Sequence, residues 1–355
     1  MPCADPPLEA LRERVLEAAD RAAPLEIVGG GSKRFYGREP QGEPLSTVAL
    51  SGIVRYQPSE LFVTVRAGTP LAQLEATLAA EGQMLAFEPP HFGPGATVGG
   101  MVAAGLAGPR RPWTGAVRDH LLGVRVLDGS GRLLHFGGEV MKNVAGYDLF
   151  RPMAGALGTL GVLVEVTLKL SPVPACTRTR ALPLNPDEAR SAMGRLWGGA
   201  EPVTATWYDG ETLYVRLAGE EPAVARGERR LGGEALPETT TLWRDLREHR
   251  LPWFREPGPL WRLSVPPAAP AIRLPGDWGV EWAGAQRWLR SPAEAGAVRH
   301  AAAAVGGHAT LFRGGARKGE VFHPLDPALL TLHQRLKAVF DPKGIFNPGR
   351  LYTQL

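Results

Sequence analysis

An α+β fold in two units is what the sequence predicts, and three observations carry that prediction. Runs of alternating or β-branched residues, such as "LFVTVRAG" at 61–68 and "GVLVEVTLKL" at 161–170, are interleaved with segments of helical spacing. A Ser171-Pro172-Val173-Pro174 break follows the last of these runs, and beyond it the chain becomes richer in Trp, Arg and acidic residues. At 355 residues the chain is long enough for about two cores.

The elements follow in order. Leu8, Leu11, Val15, Ala18, Ala19 and Ala22 fall at helical spacing, so an amphipathic helix opens the chain and Pro24 ends it. Glu26–Val28 reads as a short strand that delivers three consecutive glycines. "LFVTVRAG" is a second strand. "TPLAQLEATLAAEG" then starts a helix with Thr69 as cap and Pro70 at its first position, and Gly82 stops it. "LLGVRVLDGSGRLLHFGG" (121–138) is two apolar runs joined by Asp128-Gly129-Ser130-Gly131, a hairpin signal. After the strand at 161–170 and the proline pair, "ATWYDG" and "ETLYVRLAG" supply strands of a second α+β unit. "LLTLHQRLKAVFDPKGIFNPGRLY" ends the chain as a helix stopped near Asp341-Pro342, followed by an irregular tail.

Composition narrows the function. A net charge of +4 spread along the chain does not read as a nucleic-acid binder. Cys3 and Cys176 are too few for a disulfide framework or an iron–sulfur cluster, and no metal-ligand spacing stands out. No stretch approaches the roughly 20 apolar residues of a spanning helix. Asp5, Glu9 and Glu13 in the first fourteen residues do not fit a secretory signal. A cytoplasmic location is expected, with any contact to the inner membrane peripheral and made through partners.

Alone, Gly29-Gly30-Gly31-Ser32-Lys33 reads as a surface turn. A triphosphate loop needs Gly-Lys-Ser/Thr, whereas here Ser precedes Lys, and no Gly-x-Gly-x-x-Gly follows the strand. Two further stretches change its weight: "PPHFGPGATVGGMVAAGLAGPRR" (89–111) and "KNVAGYDLFRPMAGALGTLGVLVEVTLKL" (142–170). Small residues over such lengths permit close backbone approach to a flat or charged group. Three glycine-rich stretches beside strands argue for one large, extended ligand with a phosphate-rich middle.

Together with the C-terminal "FDPKGIFNPGR", these motifs resemble the vanillyl-alcohol-oxidase type of FAD-binding oxidoreductases. Within that superfamily they are most similar to the FAD-binding E-subunit family of bacterial glycolate oxidases. The resemblance covers 25–174 and the last thirty or so residues, and is thinner between. It implies a PCMH-type FAD-binding domain of two α+β subdomains (1–173), an α+β cap domain (174–330), and a C-terminal helix and tail returning to the flavin domain (331–355). It implies that Gly29, Gly30, Gly31 and Ser32 bind the FAD pyrophosphate, with Lys33 nearby. It further places Pro90, His91, Thr97, Gly99, Gly100, Ala104, Gly105, Gly158, Thr159, Gly161 and Val162 against the cofactor and brings Asn347 to the flavin from the tail. Neither Cys lies in a FAD motif and the neighbours of His91 do not match a linkage site, so FAD is expected to be non-covalent.

Oxidation of a 2-hydroxy acid needs an Arg for the carboxylate and a proton acceptor while hydride leaves for the flavin. The His-x-Gly-Asp-Gly-Asn-x-His motif of catalytic relatives is missing, and the nearest stretch, "GGHATLFRGGARKGEVFHP" (306–324), offers His308 and Arg313. A packed strand and a solvated loop are the plain alternatives there. The leading expectation is an FAD subunit of a glycolate oxidase complex, working with a second FAD subunit and an iron–sulfur subunit on glycolate or D-lactate. A self-sufficient D-2-hydroxy-acid dehydrogenase and a non-catalytic FAD-binding assembly subunit are the alternatives, and a sugar-nucleotide reductase is a more distant one. Trp243, Trp253, Trp261, Trp278, Trp282 and Trp288 are expected in the core or facing a partner.

Overall fold

The computed structural model describes residues 5–138, 148–237 and 240–355. The stretch Lys142–Tyr147 of the third glycine-rich segment lies outside them. The chain opens with α1 (Pro6–Arg21), β1 (Leu25–Val28) and β2 (Glu43–Ser46), the two strands pairing in parallel. A five-stranded antiparallel sheet follows, built from β3 (Ile53–Gln57), β4 (Phe62–Arg66), β5 (Leu121–Leu127), β6 (Leu133–Gly137) and β7 (Val162–Lys169), in the order β3-β4-β7-β5-β6. Its centre is β7, "VLVEVTLK", buried almost throughout. A central strand tolerates polar residues only when they are satisfied across the ladder. Glu165 meets Arg125 on β5 at 2.7 Å, and Thr167 shares a 2.9 Å hydrogen bond with Thr64 on β4. The hairpin turn at 128–131 joins β5 to β6 as the sequence implies.

Leu71, Leu74 and Leu78 bury one face of α2 (Leu71–Ala80) against this sheet. The cap assigned to Thr69 is not formed: Pro70 is the N-cap, and the Thr69 hydroxyl instead donates to Gly52 O and accepts from Gly52 N. That bond closes a turn before the sheet, which local sequence does not reveal. Thr97 is a true cap, accepting from Gly100 N at 3.2 Å at the start of α3 (Val98–Ala104).

Beyond residue 175 lies an eight-stranded antiparallel sheet. Its strands are β8 (Cys176–Pro183), β9 (Val203–Tyr208), β10 (Thr212–Gly219), β11 (Glu234–Ala235), β12 (Leu260–Ser264), β13 (Asp277–Glu281), β14 (Gln286–Arg290) and β15 (His308–Arg313), in the order β11-β8-β10-β9-β13-β14-β12-β15. Alternation divides its faces. Helices α4 (Pro186–Trp197), α5 (Glu221–Leu231) and α7 (Ala295–Ala304) cover one face, through Met193, Val224 and Val298. Trp207, Trp288 and Phe312 point the other way, toward Tyr36, Leu106 and Leu157 of the first unit and toward Trp243 and Leu246 of α6 (Leu242–Arg247). Five tryptophans, Trp207, Trp243, Trp261, Trp282 and Trp288, are buried.

The two units meet through two buried arginines, Arg38 and Arg216, and a half-buried one, Arg317. Arg216 on β10 pairs with Glu88 at 2.8 Å, and Glu88 also accepts from Arg110 N. Arg38 donates to Lys318 O, Gly319 O and Gly349 O, and Arg317 donates to Phe35 O and Phe312 O.

The tail returns to the start of the chain. After α8 (Pro327–Phe340), Leu25 N donates to Ile345 O at 2.7 Å and Asn347 N to Leu25 O at 2.9 Å. Lys337, buried in α8, donates to Thr159 O, Asp341 Oδ2 and Phe346 O at 2.7–2.8 Å. Asp341 accepts in turn from Ile345 N and Phe346 N. Breaking one partner of such a pair leaves the other charge buried and costs about 3–5 kcal/mol. Lys337→Met is therefore expected to lower the free energy of unfolding by about that amount in urea; a loss under about 1 kcal/mol would show the clamp to be dispensable.

Candidate functional site

β1 lies between β2 and the tail, and its end carries the glycines into an open cleft. Gly31 has φ +73° and open space where a side chain would sit. Gly30 is needed for a different reason than a ligand's space: a Cβ there would fall 1.4 Å from Gly95 O. At Gly29 a Cβ would strike the Thr97 hydroxyl at 2.4 Å, and at Gly99 it would strike Ala67 at 2.7 Å. Glycine here lets the first two glycine-rich stretches close on each other.

The third stretch forms the opposite wall. Gly155 N and Leu157 N donate to Val102 O and Ala103 O at the end of α3. Asn347, at φ +41°, accepts from Ile27 N at 2.7 Å and donates to Leu157 O at 2.5 Å. It stands in the cleft wall, and most of its amide is occupied in joining β1 to the 157–161 loop.

The cleft, about 810 Å³ counted to its open mouth, is lined by Gly29, Gly30, Gly31, Ser32, Lys33, Thr97, Gly99, Gly100, Ala104, Gly158, Gly161 and Asn347 among the sequence candidates. Others stand behind its walls. Pro90 is buried, and His91 is bound to Glu75 at 2.9 Å while its carbonyl accepts from Lys33 Nζ. Gly105 ends α3 in the left-handed region, Thr159 bonds Ala156 O, and Val162 is in the core.

The donor set fits an extended anion. The N–H groups of Gly30, Gly31 and Ser32 take no partner among the described residues, and such a run of free amides is an anion cradle. Arg350, whose Nη2 donates to Arg34 O and Tyr36 O, keeps a buried Nη1 without a partner in the cleft wall. Burial lowers its pKa to about 10 and that of Lys33 to about 8; a bound pyrophosphate would raise both. Arg350 ends "FNPGR" three residues after Asn347, and a cation at that spacing from a candidate ligand residue is the signal in the sequence for its place in the wall.

The two catalytic candidates are not brought together. His308 and Arg313 begin and end β15, roughly 16 Å apart at about 3.3 Å per residue. His308, exposed at the start of the strand, faces His323, at 6.4 Å between ring centroids, and desolvation by the groups around it, with the Arg262 charge second, lowers its pKa. Arg313 lies over Phe35 and Phe92, because an irregularity opposite Leu260 and Trp261 turns the end of β15 inward.

A second, narrower cavity lies between the units, lined by Phe92, Leu106, His249, Arg262, Glu281 and Trp288, among others. Ala104 lines the large cleft and Leu106 this one, so the two cavities neighbour each other along one segment. Glu281 accepts from Trp288 Nε1 at 2.7 Å and from Gln286, yet burial raises its pKa to about 7. A carboxyl raised from 4.5 to about 7 on folding favours the folded state fully below pH 4.5, and that advantage is lost as pH rises to 7. The swing is about 3 kcal/mol. Melting temperature is therefore expected to fall more steeply between pH 5 and about 7 in the natural protein than in Glu281→Gln; parallel curves would show Glu281 to be unperturbed.

For the cleft, Gly30→Ala is expected to abolish retention of a flavin nucleotide by forcing the loops apart, whereas Gly31→Ala, strained by about 1–2 kcal/mol, keeps the fold. Normal flavin content in purified Gly30→Ala would remove the cleft assignment.

Two family models match the chain: one described as FAD binding domain over residues 8–137, the other as FAD linked oxidases, C-terminal domain, over residues 313–351. The glycolate oxidase subunit GlcE of Escherichia coli is 47% identical over 347 residues, 98% of either chain. The glycolate oxidase subunit GlcD of Bacillus subtilis is 32% identical over 202 residues, 56% of this chain and 43% of that protein. A D-lactate dehydrogenase of Archaeoglobus fulgidus is 33% identical over 158 residues, 44% of this chain and 35% of that protein. The fold matches a solved structure of alkyldihydroxyacetonephosphate synthase with a TM-score of 0.69 at 16% identity, over 97% of this chain and 76% of that one. The chain belongs to the FAD-linked oxidases, in the family of the glycolate oxidase subunit GlcE.

Proposed function

We propose that this chain is the FAD-binding subunit of a complex that oxidises a 2-hydroxy acid, glycolate or D-lactate, and passes the electrons to an iron–sulfur partner, with a second FAD subunit beside it. The observation that carries the reading is the meeting of three glycine-rich walls around free amides and an unpartnered Arg350 nitrogen, in a chain similar end to end to a glycolate oxidase subunit. FAD held there without a covalent bond would supply the redox chemistry, taking two electrons from the acid.

The residues have distinct parts in this reading. Gly29–Ser32 offer backbone N–H groups to the pyrophosphate, with Arg350 and Lys33 balancing its charge. Thr97, Gly99, Gly100, Gly158 and Gly161 let backbone approach the ring system. Asn347 fixes the distance between the two walls, and Pro90, His91, Gly105, Thr159 and Val162 support them from behind. With two cysteines in the sequence, electrons leaving this chain need an acceptor on another. No helix among the described residues is long and apolar enough to cross a membrane.

The purified protein is expected to be yellow and to release FAD on denaturation. Anaerobic glycolate or D-lactate bleaches the flavin of this chain alone if it oxidises substrate itself, and only after the partner subunits are added if it relays electrons. A colourless protein that takes up no added FAD would overturn the reading.

A further inference from the structure

The narrow cavity between the units has features that its packing role does not require. Arg262 lines it, half-buried, with one hydrogen bond, to the Tyr36 hydroxyl at 2.9 Å, and no ion pair among the described residues. His249 lines it with a buried Nδ1 that has no partner, its ring stacked on Phe254 with centroids 4.0 Å apart. Arg313, likewise without an ion pair, stands over the rings of Phe35 and Phe92 at an adjoining surface pocket.

Backbone strain gathers in the same place. Among the described residues, nine other than glycine have positive φ. Phe92 and His249 line the cavity. Trp282 and Ala283 follow Glu281, and the Trp282 indole donates to Gly108 O in the cavity wall. Glu88, beside Gly108, is a fifth. Strain of this kind persists where the surroundings over-determine a geometry, and it concentrates at ligand sites.

We propose that this cavity binds the carboxylate of a short 2-hydroxy acid, with Arg262 as its counter-ion and His249 Nδ1 as its hydrogen-bond partner. The identity of the acid rests on the function proposed above; the anion site itself rests on the unpaired cation and the orphaned ring nitrogen. Phe92, Leu106, Trp288 and Phe312 close the walls around a small space, so the shortest acids are the ones to test. Arg313 marks the approach. His249, facing Arg313 and Arg262, is held neutral by burial and by those charges, and a neutral ring can hydrogen-bond without adding charge. Glu281, facing Arg262, Glu88, Gln286 and Trp288, opposes the anion when ionised, so binding weakens as pH rises through about 7.

Oxalate, a two-carbon acid with no hydride to give, is the probe, measured by calorimetry on FAD-loaded and on FAD-depleted protein. Natural protein is expected to bind it at millimolar concentration or below, Arg262→Gln to weaken binding tenfold or more, and Arg262→Lys to recover part of the loss. Glu281→Gln is expected to remove the pH dependence while binding persists. Equal affinity in natural protein and in a normally folded Arg262→Gln overturns the proposal, as does an absence of binding to the FAD-loaded natural protein. Failure to retain FAD with Arg262-dependent oxalate binding intact would count against the flavin function alone.

Discussion

The buried Lys337–Asp341 pair, with Asn347 beyond it, is the constraint on which the cleft depends. One ammonium satisfies carbonyls from the 157–161 loop and from the tail, and one carboxylate fixes the turn that aims the tail at β1. Three segments distant in sequence are set relative to one another by groups that have no water to fall back on. Buried charges of this kind are costly if incomplete and rigid when satisfied. This one is satisfied on both sides, and the glycine loop inherits the rigidity.

Much of the first unit could be read locally. Its strands alternate, its hairpin turn is announced by Asp-Gly-Ser-Gly, and its glycines fall where backbones nearly touch. Thr69 was misread because a hydroxyl before a helix has two competing uses, and the turn at Gly52 is remote in sequence. The walls of the cleft were recognisable as motifs. What each glycine does within them was not, since Gly30 answers to Gly95, sixty-five residues later.

The second unit was less legible for a physical reason. Its chemistry sits on strands that pair across long separations, so Arg262, Glu281 and His249 share no motif and meet only through register and a strained turn. His308 and Arg313 looked like partners because they are close in sequence, yet the extended strand keeps them at opposite ends. Of the arginines that join the two units, Arg317 falls in a stretch with a solvated loop as one plain reading, and Arg38 and Arg216 carry no local signal; their carbonyl and carboxylate partners lie far away in sequence.

The clamp also orders events in time. β1 is made long before its neighbour on one side, Ile345–Asn347. At about 5–20 residues per second the glycine loop waits tens of seconds for its second edge. Cofactor loading is in consequence a step that follows synthesis of Ile345–Asn347, and a chain lacking that segment keeps β2 beside β1 but leaves the glycine loop without its second edge.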